Sequence, residues 1–93
     1  MHDRILRQLR ERIRAKRYVM TIHAEEEMND DELTIFDIEH AILTGAVIGK
    51  QRDSSTNEWK YLLRGCTLTS KDVIVVAKLS PIGKLVIITV YLP

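Results

Sequence analysis

The chain has one cysteine, Cys66, and two prolines among its 93 residues. A lone thiol cannot build an internal disulfide framework or a cysteine-based zinc site, and it suits a reducing, cytoplasmic setting. Aromatics are scarce too: Tyr18, Phe36, Trp59, Tyr61 and Tyr91 are the whole set, so the core has to be aliphatic. No apolar run approaches the length of about 18 residues that a membrane span needs. The opening MHDRILRQLRER is basic and lacks the hydrophobic centre of a signal peptide. Repeats, low-complexity tracts and Pro/Gly/Ser linkers are also missing, so residues 1–93 read as a single domain.

Charge is plentiful and segregated. Residues 1–17 carry a net +5, residues 18–45 a net −8 with no lysine or arginine, and residues 46–93 a net +4, within an overall +1. Two readings fit. The acidic segment neutralises the basic ones within the molecule, or a basic face meets an anionic ligand such as nucleic acid.

Residues 4–17 read as a basic amphipathic helix, with Ile5, Leu6, Leu9 and Ile13 on the apolar stripe. Thr21 is placed to cap a short second helix reaching roughly Asp31. Thr34-Ile-Phe-Asp37 has the form of a capping box opening a third, with Ile35, Ile38, Ala41 and Ile42 inward and Gly45 in the C′ position. Thereafter residues 46–52, 58–66, 72–80 and 84–92 read as strands joined by short turns, hence antiparallel neighbours. The expected class is α+β, with two to three N-terminal helices packed on a curved four-stranded antiparallel sheet. Alternation groups Trp59, Tyr61 and Leu63 against Lys60, Leu62 and Arg64. It also groups Lys78 with Ile74 and Val76, and Thr89 and Tyr91 with Leu85 and Ile87. Both faces are rich in apolar residues, so alternation does not decide which one is the core face.

His23 stands out chemically. It sits in the first turn of the second helix with Glu26 and Glu27 three and four residues on, within hydrogen-bonding reach. Imidazole titrates near neutrality and serves as a general acid or base, or as a phosphate contact; the alternative is a structural histidine. His40 falls on the polar side of the third helix and is expected to be solvated. No second histidine or cysteine stands at ligand spacing from His23-x-x-Glu26, so no metal site or cofactor is expected. Phosphate-cradling glycine loops and nucleophile elbows are absent as well. What is left suffices for metal-independent RNA cleavage, in which the substrate's 2′-hydroxyl attacks and the protein moves protons and stabilises charge.

The run Ile22-His23-Ala24-x-x-x-Met28, then Asp31-Glu-Leu-Thr-Ile-x-Asp37-Ile-x-x-Ala41-Ile-x-x-Gly45, and the closing Val86-Ile-Ile-Thr89-Val-Tyr91 resemble the domain-of-unknown-function 4258 family of small prokaryotic proteins, related to RelE- and BrnT-like toxins. The resemblance covers about residues 18–93. It implies a RelE-like toxin fold and the toxin role in a type II toxin–antitoxin module, acting as an endoribonuclease on free or ribosome-bound mRNA. It also implies a cognate antitoxin, often a zinc-ribbon and helix-turn-helix protein. His23 matches the family's leading histidine, and Thr89 and Tyr91 match its terminal motif. Some relatives carry arginine where this chain has Glu27 and Asp31, so Arg64 and Lys78 would have to supply the positive charge. On this reading His23, Arg64, Lys78 and Tyr91 are the catalytic candidates. Arg7, Arg10, Arg14, Lys50, Arg52, Lys60 and Thr89 are the RNA-binding ones. The alternatives are a non-catalytic RNA- or ribosome-binding protein and a protein–protein interaction module.

Overall fold

The computed structural model describes residues 2–93. Its elements run α1 (Asp3–Arg14), β1 (Tyr18–Met20), α2 (Ile22–Asp30), α3 (Ile35–Thr44), β2 (Ala46–Arg52), β3 (Trp59–Cys66), β4 (Asp72–Leu79) and β5 (Leu85–Tyr91). The α+β class is as expected, but the sheet is not four antiparallel strands. It has five strands in the order β1-β5-β4-β3-β2, and β1 lies parallel to β5 with Val19 opposite Val86. Three residues are too few to show alternation, which is why β1 does not announce itself. It exists because β5 offers an unpaired edge: Leu85 donates to the Arg17 carbonyl and Thr21 to that of Ile87.

Helix ends explain a second difference, since α1 stops at Arg14 rather than Arg17. Lys16 adopts φ 57°, and the Arg17 and Lys16 amides return to the carbonyls of Arg12 and Ile13. Glu32 ends α2 in the same way, with Leu33 donating to Met28 and Glu32 to Asn29. Both are Schellman closures whose left-handed residue is charged, so no glycine marks them. Thr21 caps α2 through Ala24, and Thr34 and Asp37 form the capping box of α3. Asp37 also accepts from the Leu68 amide at 3.0 Å, tying α3 to the β3–β4 turn.

The three helices cover one face of the sheet. Leu9 and Ile13, Ala24 and Met28, and Ile38, Ala41 and Ile42 meet Leu63, Val73, Val75, Ala77, Leu85, Ile87 and Val90 in one aliphatic core. Gly45 is extended (φ −89°, ψ −162°), not left-handed, so its role differs from that of a C′ glycine. A side chain there would strike the backbone of Arg64 and Ala41, and one on Gly65 would strike Ala41. The two glycines let α3 lie directly on β3. Arg10 completes the contact, donating to the carbonyls of Ile42 and Gly45 at 3.1 and 2.7 Å at the end of α3.

Two bulges shift the face that side chains present. Between β2 and β3, Val47 pairs with Leu63 but Gly49 with Leu62, so Lys50 and Arg52 join Tyr61 and Trp59 on the helix-covered side. Between β4 and β5, Ile87 pairs with Ala77 but Thr89 with Val76. Thr89 and Tyr91 therefore face away from Leu85 and Ile87, the reverse of simple alternation.

Gly65→Ala should lower stability by about 1–3 kcal/mol or more in urea unfolding, the usual cost of forcing atoms into a packed site. Gly49→Ala, where an added methyl meets nothing within 4 Å, should cost far less; equal costs would refute the close-approach role. Hydrogen bonds from the Thr34 backbone first, then from Leu68, hold the Asp37 carboxyl below its ordinary 3.8. Its stabilising effect is thus complete above that value and is lost as pH falls through the lower folded value. Asp37→Asn should flatten the loss of melting temperature below about pH 4; an unchanged acid limb would contradict this.

Candidate functional site

Where β1 ends, the outer edge of β5 would expose unpaired amides. Thr21 donates its hydroxyl to the Ile88 carbonyl at 2.8 Å, and Glu27 accepts from the Val90 amide at 3.0 Å. Glu27 therefore takes the place of a neighbouring strand, and His23 Nε2 lies 3.3 Å from the same Glu27 oxygen. His23 itself is largely exposed, at 65%. The result is an accessible imidazole close to an anchored carboxylate beside the end of β5.

The sheet face away from the helices is open. Arg64, Ile74 and Tyr91 form one cross-strand row, and Leu62, Val76 and Thr89 the next. Arg64 and Tyr91, on the two strands flanking β4, stand roughly 10 Å apart by strand spacing. Lys78 pairs with Val86 and lies four residues along β4 from Ile74, roughly 13 Å away. Tyr91 and Arg64 thus share the end of the sheet where Glu27 caps β5, and Lys78 does not. The cations of this face have carboxylate partners: Arg64–Asp72 at 2.9 Å, Lys60–Asp53 at 3.3 Å and Lys78–Glu58 at 3.3 Å. The Ser55 hydroxyl, then the Ser55 amide and Lys60, hold the Asp53 carboxyl well below the usual carboxylate range. Arg64 and Asp72 are both more than half exposed, so that pair is weak and can exchange for another anion.

Among the remaining candidates, Arg7 and Arg14 flank a shallow surface groove with Arg10, whose guanidinium is committed to the end of α3. Lys50 and Arg52 have no carboxylate partner among the described residues. Instead they lie over the Trp59 ring, 4.5 and 4.8 Å from its centroid. Trp59 and Tyr61 face a groove beneath α1, and the β2 bulge brings Lys50 and Arg52 to the same side; the one hint in the sequence is cations at alternate positions opposite Glu-Trp-Lys-Tyr. His40 is not solvated as expected: its Nδ1 is 2.8 Å from the Cys66 carbonyl, joining α3 to β3. No group of three or more His, Cys, Asp or Glu side chains among the described residues is arranged to hold a metal ion. Nor is any helix among them long and apolar enough to cross a membrane.

The family model described as "Domain of unknown function (DUF4258)" matches residues 20–92, from the end of β1 past the end of β5. The chain belongs to the DUF4258 family. Comparison with curated proteins and with solved structures yields no match. The DUF4258 match takes in His23, Glu27, Arg64 and Tyr91, together with both bulges, and leaves α1 outside. Glu27 serves as an edge cap on β5.

Removing that cap should cost more than removing its exposed partner. Glu27→Ala should destabilise by about 1–2 kcal/mol, as expected when a charged hydrogen bond to a backbone amide is lost. His23→Ala should change the melting temperature little. Equal effects in thermal unfolding would show that Glu27 does not anchor β5.

Proposed function

We propose that this DUF4258 protein acts on RNA as a metal-independent endoribonuclease of the toxin type. The observation that carries the reading is the His23–Glu27 pair, an exposed imidazole 3.3 Å from a carboxylate that is itself fixed to the Val90 amide. A neutral His23 takes the proton of a 2′-hydroxyl as that oxygen attacks the adjacent phosphorus. Glu27 then stabilises the imidazolium. The 5′-oxygen departs with a proton, leaving a 2′,3′-cyclic phosphate. Arg64, released from Asp72, meets the charge on the phosphorane, and Tyr91 positions the strand or protonates the leaving oxygen. Lys78 is too far along β4 for the scissile phosphate and would hold a neighbouring one. Thr89 stands in the row between them, and Lys60 lies beside Lys78. In this reading the protein is the toxin of a type II module in the cytoplasm. Its partners are mRNA, free or on the ribosome, and an antitoxin that covers the open face.

A second reading, non-catalytic RNA or ribosome binding, is favoured by one observation: the open-face cations already hold carboxylates. RNA cleavage separates the two. Purified protein should cut single-stranded RNA in EDTA, and His23→Ala should slow cutting by about 10²–10⁴-fold while remaining folded. Full cleavage by folded His23→Ala removes His23 from the mechanism, and no cleavage by the parent protein favours the binding reading.

A further inference from the structure

A groove on the other side of the molecule is distinct from the His23 corner. It lies where the N-terminal half of α1 crosses the far end of β2 and β3. One lobe, of about 330 Å³, is lined by His2, Arg4, Ile5, Gln8, Lys50 and Tyr61. A second, of about 380 Å³, shares Ile5, Gln8 and Tyr61 and continues past Asn57 and Trp59. The two lobes are neighbours that share the wall formed by Ile5, Gln8 and Tyr61.

Its chemistry is unlike that of the open sheet face. Arg4 and Lys50 line it and Arg52 lies over Trp59 at its edge, none with a carboxylate partner among the described residues, whereas the cations of the open sheet face are paired. The one acid beside it, Glu58, is held by Lys78. Trp59 and Tyr61 stand on one face of β3, two residues apart, so their rings are spaced by roughly 7 Å along the strand. Lys50 and Arg52 lie opposite them, Lys50 paired with Tyr61 and Arg52 with Trp59. Lys50 and Arg52 rest over the Trp59 ring, so a base that stacks there takes their place and the two cations move out to the backbone phosphates. Aromatic rings with cations beside them are how proteins hold a single nucleic-acid strand. An acidic peptide would use the cations and leave the rings idle.

We propose that the α1/β2–β3 groove binds single-stranded RNA, with a base stacked on Trp59 and phosphates held by Lys50, Arg52 and Arg4. This rests on the RNA reading of the protein but not on its cleavage chemistry. It gives the strand a second hold remote from the His23 corner.

Trp59 is the only tryptophan, so its fluorescence reports the groove directly. The probe is a twelve-nucleotide oligouridylate with 2′-O-methyl groups, which has no attacking hydroxyl and is read whether or not the protein cleaves RNA. It should quench Trp59 at low salt. Lys50→Gln combined with Arg52→Gln should weaken binding at least about tenfold, and should lower the salt slope by about 1.4, at about 0.7 per phosphate contact. Trp59→Ala, followed by anisotropy of labelled strand, should weaken binding by about 5- to 150-fold, the loss of one stacked base. Thermal unfolding checks that each variant is folded. Absence of quenching, unaltered affinity in the double glutamine variant, or equal quenching by polyglutamate would each overturn the proposal. Cleavage of ordinary RNA without quenching by the blocked strand would sink the groove and spare the endoribonuclease reading. Quenching without cleavage would do the opposite.

Discussion

The Ala41 backbone occupies the space that side chains on Gly45 and Gly65 would need, and the placement of the helical layer follows from that contact. With α3 seated so low on β3, Ile38 and Ile42 reach Leu63 and the β4 valines in a core whose largest residues are leucine and isoleucine. Arg10 closes the end of α3 and so fixes α1 over the same sheet. Glu39 then receives Tyr18 at 2.6 Å and Lys16 at 2.7 Å, which brings the segment after α1 against α3 and lays β1 along β5. Burial, reinforced by the hydrogen bond and charge of Glu39, pushes the Tyr18 hydroxyl up to about 12, so it stays a donor at all ordinary pH. A clash-free approach of two backbones is thus the origin of a chain of polar contacts that ends at the fifth strand.

The acidic middle segment is not chiefly a counter-ion for helix one. Among the described residues, only Glu39 of this segment pairs with a basic residue of the N-terminal segment. Burial would raise the Glu39 carboxyl, but the bonds from Lys16 and Tyr18 outweigh it and hold it below its ordinary value. Asp37 and Glu27 spend their charge on backbone amides at a helix start and a strand edge. Free cations consequently remain on α1 and at the β2–β3 end, while the open sheet face is internally balanced. This division gives the molecule two surfaces of different electrostatic character.

Helices, strand positions and the capping residues were legible because each rests on local chemistry: Thr21 and Thr34 act within three residues of themselves. The candidate histidine was legible for the same reason, since Glu27 lies one helical turn away. What escaped depends on distant partners. β1 is defined by the edge of a strand some 65 residues later, and Lys16 and Glu32 end helices in a conformation their side chains do not advertise. The bulges at Ile48 and Ile88 reverse the alternation after them, so Tyr91 changed faces and Lys50 and Arg52 joined Trp59. Period-two logic has no means of seeing a one-residue insertion in register.

The bulge in β2 has a consequence for how copies of the chain meet. β2 is an outer strand, and a straight outer strand with free amides is a template for pairing with another chain. The irregularity at Ile48 interrupts the regular spacing of those groups, and the two cations that follow make juxtaposed copies repel. Deleting Ile48 would restore an even ladder and return Lys50 and Arg52 to the opposite face. The single extra residue therefore spoils β2 as a template for a second strand as well as shaping the groove.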